Sequence, residues 1–93
     1  MVVGTLTIEL FVGEASTLKD KRRVLKSIID RVKAKFNVSI AEVDGHDIWQ
    51  RSTLGVACVS NETAHAQSML SNVAKFIENQ GTAEIISIST EIL

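Results

Sequence analysis

Apolar residues recur along this sequence with two different periods, and the two periods alternate in a fixed order. Residues 6–12, 54–58 and 86–92 carry apolar side chains two positions apart, which is typical of strands with one buried face. Residues 18–36 and 66–77 instead carry them three, four and seven positions apart, as on one face of an amphipathic helix. Residues 38–43 are rich in β-branched side chains and predict a further strand. The predicted order is therefore β-α-β-β-α-β.

Capping residues mark the limits of the first helix. Thr17 lies three residues before Asp20, a capping-box-like pattern that predicts a helix from Leu18. Asn37 follows the last apolar position and tolerates the left-handed conformation that often ends a helix. We therefore expect the first helix to end there and the second strand to follow at once.

Turn residues divide the second half of the chain. Asp44-Gly45 is a turn signal that makes the second and third strands a hairpin, with the third strand over residues 48–60. Asn61 predicts the start of the second helix, with Glu62 in its first turn, and Gly81 predicts its end. In the last strand we expect Ile86, Ile88 and Ile92 to share one face.

A chain with the order β-α-β-β-α-β can fold into two layers. Right-handed crossovers place both helices on one face of an antiparallel sheet, which is the α+β ferredoxin-like sandwich. A length of 93 residues suits one hydrophobic core, so we expect residues 1–93 to form a single domain. The opposite sheet face is then open, and alternation places on it Thr5, Thr7, Glu9, Trp49, Arg51, Thr53, Ser87 and Ser89.

The composition excludes several classes of protein. A single cysteine, Cys58, excludes an internal disulfide, and no apolar run reaches the roughly 18 residues of a membrane span. No signal-peptide pattern opens the sequence. We therefore expect a cytoplasmic protein that makes no membrane contact.

Charge is distributed very unevenly along the chain. The predicted first helix holds eight of the ten Lys and Arg residues and only two acidic residues, so it carries 8 − 2 = +6. The rest of the chain carries 2 − 9 = −7, and the net charge is −1. A protein that is nearly neutral overall is thus divided between one basic element and an acidic remainder.

The basic residues of this helix are candidates for contact with nucleic acid. At about 100° per residue they form a stripe beside the apolar face, and their cationic groups suit a phosphate backbone. The alternative is a solvated helix face without a ligand. Lys21 differs because it falls on the apolar arc, where it either extends around the end of the sheet or pairs with a carboxylate such as Glu42. The candidates on this helix are Lys19, Lys21, Arg22, Arg23, Lys26 and Lys33.

Trp49 and Arg51 form a second candidate surface. Trp49 is the only tryptophan, and alternation places both side chains on the open sheet face. An aromatic ring beside a guanidinium group suits base stacking or the anchoring of a partner chain. The alternative for Trp49 is packing at the core edge or in a dimer. An RNA-recognition motif is not indicated, because its third strand requires several aromatic residues.

The sequence contains no recognisable set of catalytic residues. Glu9, Glu42 and Asp44 approach one another only if neighbouring strands bring them together. Asp44, His46 and Asp47 are potential metal ligands, but the turn explains the first and the others are common surface residues. We expect no metal, no cofactor and no enzymatic activity.

The segment from Leu18 to Arg51, LKDKRRVLKSIIDRVKAKFNVSIAEVDGHDIWQR, and the later GVACVSN resemble the YlxP-like family of small bacterial proteins of unknown function. The most specific pieces are Lys21-Arg22-Arg23, the NVSIAEV strand and Trp49-Gln50-Arg51. The resemblance implies a ferredoxin-like fold and a gene-context association with translation and ribosome maturation. Its basic cluster falls on Lys19, Lys21, Arg22 and Arg23, and its aromatic motif on Trp49, Gln50 and Arg51.

Two functional hypotheses follow. The first is a non-enzymatic accessory protein that binds RNA or a ribosomal subunit through the basic helix. The alternative is an interaction or regulatory module that forms a homodimer, through the open sheet face or an edge strand, or that binds a small ligand on the open face.

Overall fold

The computed structural model describes all 93 residues and has the predicted order of elements. The four strands form one sheet in the order β2-β3-β1-β4, and every neighbouring pair is antiparallel. Strands β2 and β4 are therefore the two edges. The elements are β1 Val2–Phe11, α1 Leu18–Lys35, β2 Ser39–Asp44, β3 Arg51–Ser60, α2 Thr63–Asn79 and β4 Glu84–Ile92.

Both helices cover the same face of the sheet. The alternate residues of β1 that point toward the helices are buried, whereas Thr7 and Glu9 between them are exposed on the other face. The inward side chains of strands and helices form one cluster of 15 buried residues, whose removal from water is the main driving force for folding. This cluster consists of Leu6, Ile8, Leu10, Leu25, Ile28, Val32, Ile40, Leu54, Val56, Cys58, Ala66, Leu70, Val73, Ala74 and Ile77.

The start of α1 is as predicted, and its end differs. Thr17 Oγ1 accepts a hydrogen bond from the amide of Asp20 at 3.1 Å. The Asp20 carboxylate in turn accepts one from the amide of Ser16 at 3.1 Å, so two unpaired amides near the helix start are satisfied. Asn37 does not adopt the left-handed conformation that it tolerates, since no residue other than glycine has a positive φ. Instead Phe36 leaves the helix in an extended conformation, and its ring packs edge-on against Phe76.

The hairpin loop is longer than the sequence indicates. β3 begins at Arg51 and not at residue 48, and residues 45–50 connect it to β2. Gly45 has a φ of 81°, which suits glycine, and its carbonyl accepts a hydrogen bond from the amide of Ile48. The amide of Val12 donates to the carbonyl of Gln50 at 2.7 Å. This loop is thus held against the end of β1.

The second helix begins one residue later than expected. Glu62 occupies the N-cap position without a side-chain capping bond, and the helix starts at Thr63. Gly81 has a φ of 70° and its amide bonds to the carbonyl of Glu78, as expected of a glycine that ends a helix. Neither helix combines the length and the hydropathy needed to cross a membrane.

A bulge changes the face of one residue in β4. Glu9 pairs with Ser87 and Leu10 pairs with Ile85, so Ile86 is an extra residue between them. Ile85 and Ile92 pack against the core, whereas Ile86 lines a depression beside Glu9 on the open face. The prediction that Ile86 shares a face with the other isoleucines is wrong, because the bulge interrupts the alternation.

Candidate nucleic-acid interface

Five of the seven exposed basic residues of α1 lie along one side of the helix. Four of them fall within about 60° of helix circumference, at about 100° per residue, and Arg23 lies just beyond. From Lys19 to Lys33 the stripe runs about 21 Å, because the helix rises about 1.5 Å per residue. The members of this basic stripe are Lys19, Arg22, Arg23, Lys26 and Lys33, all exposed.

Most of the stripe is free of counter-charges within the protein. Lys26 bonds to Asp30 at 2.7 Å, and this hydrogen bond, together with the charge of the carboxylate, raises the pKa of Lys26 above 10.5. None of the other four stripe residues forms an ion pair. Their cationic groups are therefore available to an external anion.

The stripe borders the edge strand β2. Arg22, Lys26 and Asp30 of α1 line a groove whose other wall includes Glu42 of β2. Because β2 ends the sheet, this side of the molecule is not covered by another strand. An extended anionic partner thus has access to the stripe along the whole helix.

Lys21 is not part of this surface. Its side chain is fully buried, and its ammonium group lies within hydrogen-bond distance of four oxygens. These oxygens are Glu42 Oε2 at 3.1 Å and the carbonyls of Gly45 at 2.7 Å, Arg51 at 3.2 Å and His46 at 3.4 Å. The prediction that Lys21 contacts phosphate is wrong, because its cationic group is enclosed and already fully bonded. Of the two alternatives for its position, pairing with Glu42 is the one observed.

The buried lysine attaches the hairpin to the helix. Glu42 accepts a second hydrogen bond, from Ser52 Oγ at 2.6 Å, so helix α1 and strands β2 and β3 share one polar network. The role of Ser52 was not predicted from the sequence. The sequence does indicate that Ser52 is unusual. It is a polar residue on the same face of β3 as the buried Leu54 and Val56, where an apolar side chain is expected.

This attachment brings the two predicted surfaces to one end of the molecule. Trp49 lies in the hairpin loop just before β3, not within the strand, and is 45% exposed. Arg51 is the first residue of β3, is exposed, and alternates with the buried Ser52. Arg51 thus projects from the open sheet face, while the stripe lies on the helical layer. Lys19, Arg22 and Arg23 are at the same end, and Lys33 is near the opposite end of α1.

The open sheet face has two depressions but no deep pocket. One, of about 170 Å³, lies between Glu9, Asp44 and Arg51, and it is smaller than the roughly 300 Å³ at which ligand pockets begin. The other, of about 400 Å³, lies over Gly55 and is lined only by uncharged residues. No group of three or more His, Cys, Asp and Glu side chains is arranged to hold a metal ion.

Comparison with known proteins identifies the family. A family model described as "Protein of unknown function (DUF503)" matches residues 3–90. The chain belongs to this family. It is also 41% identical over 78 residues to the uncharacterized protein YlxP of Bacillus subtilis (strain 168), a match that covers 84% of this chain and 85% of that protein. The resemblance to the YlxP-like family is thereby confirmed.

The solved structures confirm the fold. A designed protein with a ferredoxin fold, LFR1 1, superposes with a TM-score of 0.59 at 16% identity over 99% of this chain and 85% of that one. A second designed protein, Foldit4, superposes with a TM-score of 0.54 at 12% identity over 100% of this chain and 97% of that one. At such low identity these similarities describe the α+β ferredoxin-like architecture alone.

Proposed function

We propose that this member of the DUF503 family is a non-enzymatic accessory protein of the bacterial cytoplasm that binds RNA, with a ribosomal subunit as its target. The observation that carries the proposal is the basic stripe on α1, in which Lys19, Arg22, Arg23 and Lys33 are exposed and unpaired. Cations held along one helix face neutralise phosphates and release counterions, which favours binding to an RNA backbone of any sequence.

The distribution of charge supports the same proposal. The helix carries +6 and the rest of the chain −7, so phosphates are attracted to α1 more strongly than to the rest of the chain. An RNA is therefore oriented with its backbone along α1. Trp49 and Arg51 offer a secondary contact at the same end of the molecule as Lys19 and Arg22, where an unpaired base can stack.

One of the three carboxylates that the sequence offers for catalysis, Glu42, is held in the polar network with Lys21 and Ser52. Glu42 accepts hydrogen bonds from Lys21 and Ser52 and is only 15% exposed. A general base needs a free lone pair directed at substrate, and Glu42 lacks that freedom. This arrangement supports a binding function over an enzymatic one.

The test is RNA affinity as a function of salt for a charge-reversal pair. Arg22→Glu with Lys26→Glu removes two adjacent stripe cations. If each contacts one phosphate, the slope of log K against log salt falls by about 1.4 to 1.8, and the affinity falls at least about tenfold at low salt.

The matched control is Arg31→Glu with Lys75→Glu, which changes the net charge equally. Arg31 lies on α1 outside the stripe, and Lys75 is an exposed residue of α2. This control is expected to retain the slope of the original protein. Equal losses for both double variants, or no RNA binding by the unchanged protein, would contradict the proposed site.

A further inference from the structure

Apart from the bulge at Ile86, strand β4 is an edge of the sheet with few of the features that usually protect an edge. It is nine residues long, contains no lysine or proline, and has charges only at Glu84 and Glu91 near its ends. Ile86 and Ile88 are 43% and 48% exposed. Long exposed edges of this composition pair readily with another strand.

The backbone groups that remain free on β4 follow from its pairing with β1. Val3 and Leu93 exchange two hydrogen bonds, at 3.3 and 2.8 Å. Because such pairs alternate in an antiparallel ladder, Ser89 and Glu91 also direct their backbone groups toward β1. The N–H and C=O groups that point outward, away from the sheet, are those of Ile88, Thr90 and Ile92.

The bulge limits where a second strand can add. Ile86 is the extra residue of the bulge, and the strand twists there more strongly than elsewhere. Residues 87–93 beyond the bulge keep a regular register with β1. This regular part is about 20 Å long, at about 3.4 Å per residue.

We propose that β4 pairs antiparallel with β4 of a second copy of this chain, with the two-fold axis at Thr90. Thr90 then faces Thr90, and Ile88 of each copy faces Ile92 of the other, so the outward backbone groups of all three residues are paired. Ile88, Thr90 and Ile92 lie on the helix side of the sheet, opposite Ile8, Leu6 and Gly4. The exposed face of Ile88 is thus covered by an apolar residue.

The positions of the charged residues in β4 also favour this register over other registers of the two β4 strands. Glu91 faces Ser89 of the second copy, and Glu84 lies outside the paired stretch, so no two carboxylates are directly opposed. A register centred on Ile88 would instead bring the bulged Ile86 into the ladder, where its backbone is displaced. The arrangement forms one eight-stranded sheet and places both β2 edges, with their basic stripes, at its far ends.

Sedimentation equilibrium from about 1 μM to about 1 mM tests the proposal, because this range detects dimers with dissociation constants from about micromolar to about millimolar. Ile88→Lys places a charge in the contact, and Thr90→Pro removes an outward N–H without removing a bond to β1. Val59→Lys is the matched control, since Val59 is 66% exposed on the open face of the interior strand β3.

The expected result is a dimer for the unchanged protein and for Val59→Lys. Both β4 variants should remain monomeric while keeping the circular dichroism spectrum of the folded chain. A monomer at every concentration would overturn the proposal. So would a dimer that is lost in Val59→Lys and retained in Ile88→Lys, which would assign the contact to the open sheet face.

Cysteine cross-linking tests the register separately. In Thr90→Cys the two new thiols lie on the two-fold axis, with Cα atoms about 5.5 Å apart, which permits a disulfide. Ser89→Cys places them diagonally and too far apart. The expected result is a covalent dimer under mild oxidation for Thr90→Cys alone, since Cys58 is buried. Equal cross-linking of both variants would overturn the register.

Discussion

Replacement of Lys21 by methionine removes a buried ammonium group while keeping an unbranched side chain of similar length. The variant leaves Glu42, which is 15% exposed, without its cationic partner. It also leaves the carbonyls of Gly45 and Arg51 without this donor. Removing one partner of a buried ion pair costs about 3 to 5 kcal/mol. The partial exposure of Glu42 favours the lower end, about 3 kcal/mol.

The assay is thermal and urea unfolding followed by circular dichroism. For a domain of this size, about 3 kcal/mol lowers Tm by about 12 to 24 °C. Lys26→Met is the matched control, because Lys26 is exposed and its pair with Asp30 lies at the surface, and its Tm should change little. A loss below about 1 kcal/mol for Lys21→Met would refute the assignment of Lys21 as the group that attaches the hairpin to α1.

A double-mutant cycle with Glu42→Leu separates the ion pair from side-chain packing. When both charged partners are absent, no unpaired buried charge remains. The double variant should therefore be at least about 1 kcal/mol more stable than the sum of the two single losses predicts. Simple additivity would mean that Lys21 and Glu42 act independently.

Three further predictions concern single residues. Asp30→Asn releases Lys26, so RNA affinity should rise, whereas the control Glu62→Gln, at the N-cap of α2, should raise it less; equal gains would mean that only net charge matters. Gly45→Ala should cost about 1 to 2 kcal/mol in urea unfolding, because alanine is strained at a φ of 81°; a change below about 0.5 kcal/mol would contradict this. Ser52→Ala should cost about 1 kcal/mol because the partly buried carboxylate of Glu42 loses one donor, and an unchanged midpoint of unfolding would exclude that role.

The order of elements was predictable because it depends on local patterns. The start of α1 at Leu18 follows from Thr17 and Asp20, which are close neighbours in the chain. The alternation of apolar and polar residues in β1 and β3 likewise identifies the buried face of each strand, even when the neighbouring strands are not known. The folded structure retains these local conformations because tertiary packing favours the same ones.

The bulge in β4 was not predictable from the same patterns. It depends on how β4 aligns with β1, about 75 residues away in the chain, and an Ile-Ile-Ser-Ile sequence suits either face. Period-two alternation alone therefore assigned Ile86 to the wrong side. Register in a sheet is set by pairing across the whole strand, not by a local signal.

Part of the candidate site was also beyond local prediction. The exposed stripe was evident from helical periodicity, but the environment of Lys21 depends on carbonyls 24 to 30 residues later in the chain. The position of Lys21 on the apolar side of α1 indicated only that its side chain has unusual surroundings. The hairpin that folds over it determines that Lys21 is enclosed, and it explains why Lys21 and its neighbour Arg22 have different surroundings.

The most direct test of RNA binding by the basic stripe is retention of the purified protein on isolated ribosomal subunits. It should be compared with retention on an unrelated structured RNA at low and at near-physiological salt. Binding to one subunit that persists near physiological salt, weakens as salt rises, and is lost in the Arg22→Glu, Lys26→Glu variant is the predicted result. The absence of binding to either subunit or to the RNA at both salt concentrations would contradict it.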